Sequence, residues 1–164
     1  EAFEAAENAV RERINSLMNI KGKQSVESFH KRLGKIMWNK CGMSRNEQGL
    51  KEAAEEIRAL RKEFWSDLRI PGEINEMNPE LDKAGRVADF MELGELMCLD
   101  ALNRTESCGA HFREESQTEE GEALRHDDQF QHVSAWEYRG DENWTMHKEP
   151  LEFELVKPTQ RNYK

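Results

Sequence analysis

Apolar residues recur at three- and four-residue spacing from the start of the chain. Phe3, Ala6, Val10, Ile14 and Leu17 fall on one helical face, and NIKGK closes that helix. Ser25 caps a second helix with Glu27 and Ser28 in its first turn, and Val26, Phe29, Leu33, Ile36 and Met37 form its stripe. Gly42, within KCGMSRN, breaks it. A third helix is predicted from Ser44 to Leu68, with Leu50, Ala53, Ile57, Leu60, Phe64 and Trp65 facing inward. The segment RIPGEINEMNPE ends it, because proline fixes φ and lacks the amide donor. Asn78 followed by Pro79 combines a capping residue with a favoured first helical position, opening a fourth helix that runs to about Thr105.

This fourth helix is the most apolar segment. Leu81, Ala84, Val87, Ala88, Met91, Leu93, Leu96, Met97, Leu99 and Leu102 cover more than one face, which places it at the centre of the bundle. Ala84, Gly85 and Ala88 would permit a close helix approach. Beyond Ser107 the helical period stops. Two short β-like runs follow, VSAWEYRG and LEFELV, separated by a Gly, Asp and Asn turn region and Pro150, and they can pair as one hairpin. An isolated hairpin is barely stable in water. The tail is therefore expected to pack on the bundle or on something outside the chain. The layout is a helical bundle over residues 1–106 and an extended tail over 107–164, without a repeat of fixed period.

Composition agrees with slender, solvated helices. Charged residues make up 35% of the 164 and hydrophobic residues 37%, against roughly 25% and 45–50% in ordinary globular domains. The net charge of −9 argues against a nucleic-acid or anionic-membrane surface, either of which needs a concentrated positive face. Cys41, Cys98 and Cys108 are odd in number and widely spaced, fitting neither a disulfide framework nor a paired zinc motif and suiting a reduced compartment. No apolar run approaches the roughly 18 residues of a membrane span, and no charged-then-apolar leader precedes the first helix, so the chain reads as soluble. It begins without Met and already in helical period, as a piece cut from inside a larger protein would.

Candidate chemistry concentrates in the polar segment from Asn103 to Asp128. Cys108, His111, His126, His132 and His147 are possible metal ligands, yet Cys108 and His111 form a ligand pair with no partner pair, which favours a hydrogen-bonded polar loop over a metal site. The same two residues are candidates for a nucleophilic thiol and its base, but three positions apart near a helix end they need not face each other. A free Cys is more often an inert small hydrophobe. No GxGxxG or Walker-type loop is present. His30 reads as a partly buried, bonded side chain beside its stripe, and Met37, Trp38 and Met43 as core. The run KEAAEEIRALRKE reads as a solvated face with supporting pairs at helical spacing, such as Glu55 with Arg58 three residues on, and Arg61 as a neighbour.

RTESCGAHFREE, after a long apolar helix, resembles the RxESRGAHxRED signature of the flavoprotein subunit of succinate dehydrogenase and fumarate reductase. KIMWNKCGMSRNEQGLKEAAEEIRAL is similar to that family's second-to-third helix junction, ELGELMCLDALNRTES to its fourth helix, ENWTMH to its Asn-Trp-x-x-His element, and TQRNYK to its Arg-x-Tyr finish. Five elements in order cover nearly the whole chain. The resemblance implies a mainly α fold: a three-helix, spectrin-like bundle plus a fourth buried helix, with an extended C-terminal tail containing a small β-hairpin. It implies a full-length subunit that interconverts succinate and fumarate with FAD, in which this chain is the structural and docking domain. The dinucleotide fold, the covalent flavin His and the substrate residues would lie upstream, so no FAD, catalytic residue or metal is expected here.

The implied partners are the upstream FAD-binding and capping domains, an iron–sulfur subunit and a membrane anchor subunit. The implied location is the cytoplasmic face of the inner membrane, peripheral through those subunits. Arg104, Glu106, Ser107, His111 and Arg113 become candidates for the junction with the flavin domain, because so dense a polar cluster needs partners and the chain offers few. Where the family pattern has Arg, this chain has Cys108, and a thiol cannot replace a guanidinium's fork of donors; Arg104 and Arg113 remain to supply charge nearby. A related flavoprotein such as L-aspartate oxidase, or a non-enzymatic acidic helical interaction module, are the alternatives. ENWTMH favours the dehydrogenase over the oxidase.

Overall fold

A computed structural model describes residues 1–140 and 143–159. Glu142 of ENWTMH and the last five residues of TQRNYK lie outside the described residues. The chain divides into two compact units, Glu1–Asn103 and Arg104–Lys164.

The first unit contains α1 (Ala2–Asn19), α2 (Val26–Lys40), α3 (Glu47–Asp67) and α4 (Pro79–Asn103). Three helix starts use a short polar side chain as cap. Ser25 accepts from the Ser28 amide at 3.3 Å, Asn46 from Gly49 at 2.7 Å and Asn78 from Leu81 at 3.1 Å. The Asn46 cap sets the start of α3 at Glu47 and not at Ser44. Strand β1 (Gln24–Ser25) pairs in parallel with β2 (Leu68–Arg69), tying the start of α2 to the end of α3. Gly22 donates to the Leu68 carbonyl at 3.0 Å, and a Cβ there would lie 1.9 Å from the Asp67 carbonyl carbon. Only glycine permits that approach.

Phe29, Leu33, Leu50, Ile57, Phe64 and Met91 form the middle of the core, with the Phe29 and Phe64 rings edge to face at 5.3 Å. Helix α4 buries Ala84, Val87, Ala88, Met91, Gly94, Glu95, Cys98 and Ala101. That is one stripe at helical spacing, whereas Phe90, Leu93 and Met97 are exposed, so α4 is not enveloped as its composition predicts. Close approach occurs at Gly94, where a Cβ would meet Met37 Sδ at 3.2 Å; Gly85 faces open space.

Several other expectations are corrected. On α1 only Leu17 is buried, while Phe3 is 92% and Val10 59% exposed. An amphipathic stripe marks a face that gains from cover and does not say what supplies the cover. Met37 packs against the core, but Trp38 and Met43, 85% and 72% exposed, do not. Trp65 is exposed, with its ring against Phe64, and His30 is exposed, with its ring against Phe90. The charge run is not wholly solvated. Arg58 and Arg61 both reach Glu95 across α3 and α4, at 2.5 and 2.7 Å, and Arg61 and Glu95 are buried.

The second unit holds the short α5 (Asp127–Phe130) and an antiparallel hairpin of β3 (His132–Tyr138) and β4 (Trp144–Pro150). The hairpin is present, but its second strand is WTMHKEP and not LEFELV. Gly140, at φ 86°, accepts from the Asn143 amide at 2.9 Å, and Arg139 donates to the Asn143 carbonyl at 2.9 Å. The closure aligns Tyr138 with Trp144. A nearer strand closes a shorter loop and loses less chain entropy, which settles the register against the more β-like LEFELV. The mainly α fold with a small terminal hairpin matches the sequence reading.

Candidate functional site

The polar segment opens at Arg104 and is anchored on Glu106, which is 1% exposed. One Glu106 oxygen accepts from Arg104 Nε at 2.8 Å, and the other accepts from the His126 amide at 2.9 Å. Arg104 Nη2 also donates to the Phe130 carbonyl at 3.3 Å, and its own carbonyl meets His111 Nε2 at 2.8 Å. A carbonyl only accepts, so Nε2 is the donor in this contact. That nitrogen is not a base toward Cys108.

Ser107 is fully buried and does three things. Its amide donates to the Leu124 carbonyl at 2.8 Å, its hydroxyl donates to the Arg113 carbonyl at 3.1 Å, and the same hydroxyl accepts from the Arg113 amide at 2.8 Å. Between them the chain turns back, with Cys108 and His111 exchanging main-chain bonds at 2.8 and 3.1 Å. Gly109 takes the turn at φ 59°, a left-handed conformation that L side chains rarely adopt. Ser116, also buried, donates to the Thr105 carbonyl at 2.8 Å. Arg113 is buried and bonds Glu115 through Nε at 3.0 Å.

All five residues singled out in the sequence are thus brought together. The premise that the chain offers them few partners is corrected: Arg104 with Glu106, Ser107 with Arg113, and His111 with Arg104 satisfy one another. Sequence reading missed Ser116, the His126 amide and Leu124, which close the far side of the loop. Their only advance signal is that a buried carboxylate and hydroxyl require main-chain donors and acceptors from somewhere.

Cys108, half-buried, lines a cavity of about 290 Å³ together with Arg104, Arg125, Asp127 and an apolar wall that includes Phe130 and Phe153. Arg125 grips Asp127 through two contacts of 2.8 and 2.5 Å, and that hydrogen bonding raises its guanidinium above its ordinary value. The second cation beside Cys108 is therefore Arg125. Arg113, expected to supply that charge, is absent from the cavity lining and pairs with Glu115. Among the described residues, no three of His, Cys, Asp and Glu are grouped as a metal ion needs, and Cys108, His126, His132 and His147 are not gathered into one set of ligands. What the arrangement can do is hold a rigid polar turn in one shape, with Gly109 and Ala110 exposed at its tip.

These features define a mainly helical domain continued by a hydrogen-bonded clasp and a hairpin. The family model described as fumarate reductase flavoprotein C-term matches residues 30–163, and the chain belongs to that family. It is 31% identical over 100 residues to the fumarate reductase flavoprotein subunit of Helicobacter pylori, covering 61% of this chain and 14% of the relative. It is 30% identical over 110 residues to an FAD-dependent oxidoreductase of Methanocaldococcus jannaschii, covering 67% and 19%. The chain therefore spans less than a fifth of the length of these relatives. Its fold is similar to that of a quinol-fumarate reductase chain solved with menaquinol molecules, at a TM-score of 0.81 and 23% identity over 97% of this chain and 27% of that one. It is also similar to Mycobacterium smegmatis Sdh1 in complex with UQ1, at 0.77 and 19% over 92% and 24%.

Proposed function

We propose that this chain serves as the C-terminal structural and docking domain of a flavoprotein subunit that interconverts succinate and fumarate, with FAD as electron acceptor or donor. The observation that carries the reading is the family match over residues 30–163. The described residues do not fit FAD by themselves. A dinucleotide site needs a glycine-rich turn between a strand and a helix whose free amides face the pyrophosphate. Here the first turns of α2, α3 and α4 are capped by Ser25, Asn46 and Asn78 of the same chain, and the glycines with positive φ, Gly72, Gly109, Gly121 and Gly140, lie in turns and loops. No catalytic step is assigned to these residues.

The role left to the clasp is positioning. Arg104, Glu106, Ser107, His111 and Arg113 fix the loop through charge-assisted and buried bonds, each contributing roughly 0.5 to 3 kcal/mol, and the loop presents its tip as a preformed surface for the FAD-binding and capping domains upstream. Preorganisation of this kind lowers the ordering cost of docking. An iron–sulfur subunit and a membrane anchor complete the proposed assembly, which holds the chain peripherally at the cytoplasmic face of the inner membrane. No helix among the described residues is long and apolar enough to cross a membrane.

The test compares the isolated chain with the full-length subunit. The isolated chain should bind no FAD and reduce no fumarate. His111→Ala should lower flavin retention or subunit assembly in the full-length protein while leaving the helix content of the isolated chain almost unchanged. Flavin-coloured isolated chain would overturn the reading, and so would a His111→Ala chain that unfolds.

A further inference from the structure

We propose that the cavity at Cys108 is a binding site for a short aliphatic carboxylate of the octanoate type, with the segment from Leu151 to Thr159 as one of its walls. The cavity, of about 290 Å³, is built wholly from the second unit. Its polar lining is Arg104, Glu106, Cys108, Arg125 and Asp127, and its apolar lining includes Phe130, Leu151, Phe153 and Val156.

The hydrogen bonds of the polar lining leave a surplus of one kind. Arg104 Nε and Nη2 meet one Glu106 oxygen at 2.8 and 2.6 Å, and the other Glu106 oxygen takes the His126 amide. Arg125 places Nε and Nη2 on the two oxygens of Asp127. All four carboxylate oxygens are thus engaged. Arg104 Nη1, in contrast, has no partner among the described residues, and Arg125 Nη1 holds only the Thr159 carbonyl, at 3.2 Å. A guanidinium carries five N–H donors and no acceptor, so what the cavity has to spare is donors. A ligand that fits must bring acceptors. A carboxylate brings them with charge, and charge-assisted bonds are roughly twice as strong as neutral ones. An ammonium group would instead compete with the two arginines for oxygens already taken.

The apolar lining selects the rest of the ligand. Leu151, Phe153 and Val156 remain exposed although all three line the one cavity, so they offer apolar surface that an aliphatic chain would cover. The segment that carries them has no regular secondary structure and is held at both ends. The Leu151 amide donates to the Gln131 carbonyl at 3.0 Å, the Gln131 side chain donates to the Leu151 carbonyl at 2.9 Å, and Arg125 holds Thr159. Between those ties the wall can adjust to a chain without breaking a strand ladder. Ligand pockets run from about 300 to 1,000 Å³, so a cavity at the small end of that range suits a short chain.

The experiment alkylates the purified chain with iodoacetamide and follows the tryptic peptide of residues 105–113, which carries Cys108. Octanoate at about ten times its dissociation constant should slow this alkylation about tenfold, by mass action. Butanoate, four methylenes shorter, should bind about a hundredfold more weakly, and n-octylamine should not protect. Calorimetric titration reads the same affinities should Cys108 react too slowly to follow. Phe153→Ala, a change at an exposed side chain, should weaken octanoate while leaving the far-ultraviolet spectrum unaltered. The site is overturned by octanoate that neither protects Cys108 nor gives binding heat, by n-octylamine protecting as well as octanoate, or by butanoate binding as tightly. These arms use the unmutated chain and decide the question even if the variant fails to fold.

Discussion

The Ser107 hydroxyl holds both main-chain polar atoms of Arg113, donating to its carbonyl at 3.1 Å and accepting from its amide at 2.8 Å. The Arg113 carbonyl has a second partner in the Ser116 amide at 2.9 Å. Ser107→Ala should therefore strand the Arg113 amide more than the carbonyl. A buried donor without a partner costs about 1–3 kcal/mol, and denaturant unfolding followed by tryptophan fluorescence should show a loss of that size. An unchanged midpoint would mean that water replaces the hydroxyl.

Glu95 should prove the most sensitive charge in the first unit. It is 1% exposed and takes Arg58 and Arg61 from the facing helix. Removing it by Glu95→Ala leaves cationic charge at a buried position, a change that costs about 3–5 kcal/mol. Lys51→Ala removes an exposed four-apart pair with Glu47 and should change stability by less than about 0.5 kcal/mol. Comparable losses in the two variants would refute this assignment.

Two glycine substitutions should act in opposite directions. Gly85→Ala places a Cβ in open space on α4 and should stabilise by about 0.5–1 kcal/mol, because alanine has the higher helix propensity. Gly22→Ala drives a Cβ into the Asp67 carbonyl and displaces backbone. Its cost should exceed the roughly 1–3 kcal/mol typical of overpacking. Thermal unfolding of both variants beside the parent checks the pair of signs.

Acid should weaken the link between α2 and α3. The Arg32 guanidinium, helped by the Gln24 amide, holds Glu63 at about 2, below its ordinary 4.5. A depressed carboxylate contributes stability that is fully present above about 4.5 and is lost as pH falls toward about 2. The melting temperature of the parent should therefore fall more steeply across that window than that of Glu63→Gln. Both side chains are partly solvated, so the difference in slope should be modest and should shrink in high salt.

The sequence is most readable where structure is local. Ser25 and Asn78 announce their helices because a cap acts within three residues, and the stripes of α2 and α3 follow from a period that needs no knowledge of the partner helix. Glu95 shows the limit. Within a charge-rich sequence it looks like any solvated carboxylate, and only the packing of α3 on α4 brings Arg58 and Arg61 to it, from 37 and 34 residues away. The hairpin is present, but its second strand differs from the expected one for a related reason: LEFELV has the stronger β composition, whereas WTMHKEP is nearer and its turn closes. In the clasp, the residues were legible as a group, while the bonds among them were not. Ser107 and Arg113 are ordinary polar positions until the turn at Gly109 folds one against the other.

Glu106 reaches Arg104 with one oxygen and the His126 amide, 20 residues downstream, with the other. The stretch between is consequently a closed ring, crossed inside by the bonds from Ser107 to Leu124 and from Leu124 to Ser116. Such a ring does not fray from one end. It opens as a whole, and native-state hydrogen exchange should find the amides of Ser107, Arg113, Leu124 and His126 sharing one opening free energy, as members of a single cooperative unit do.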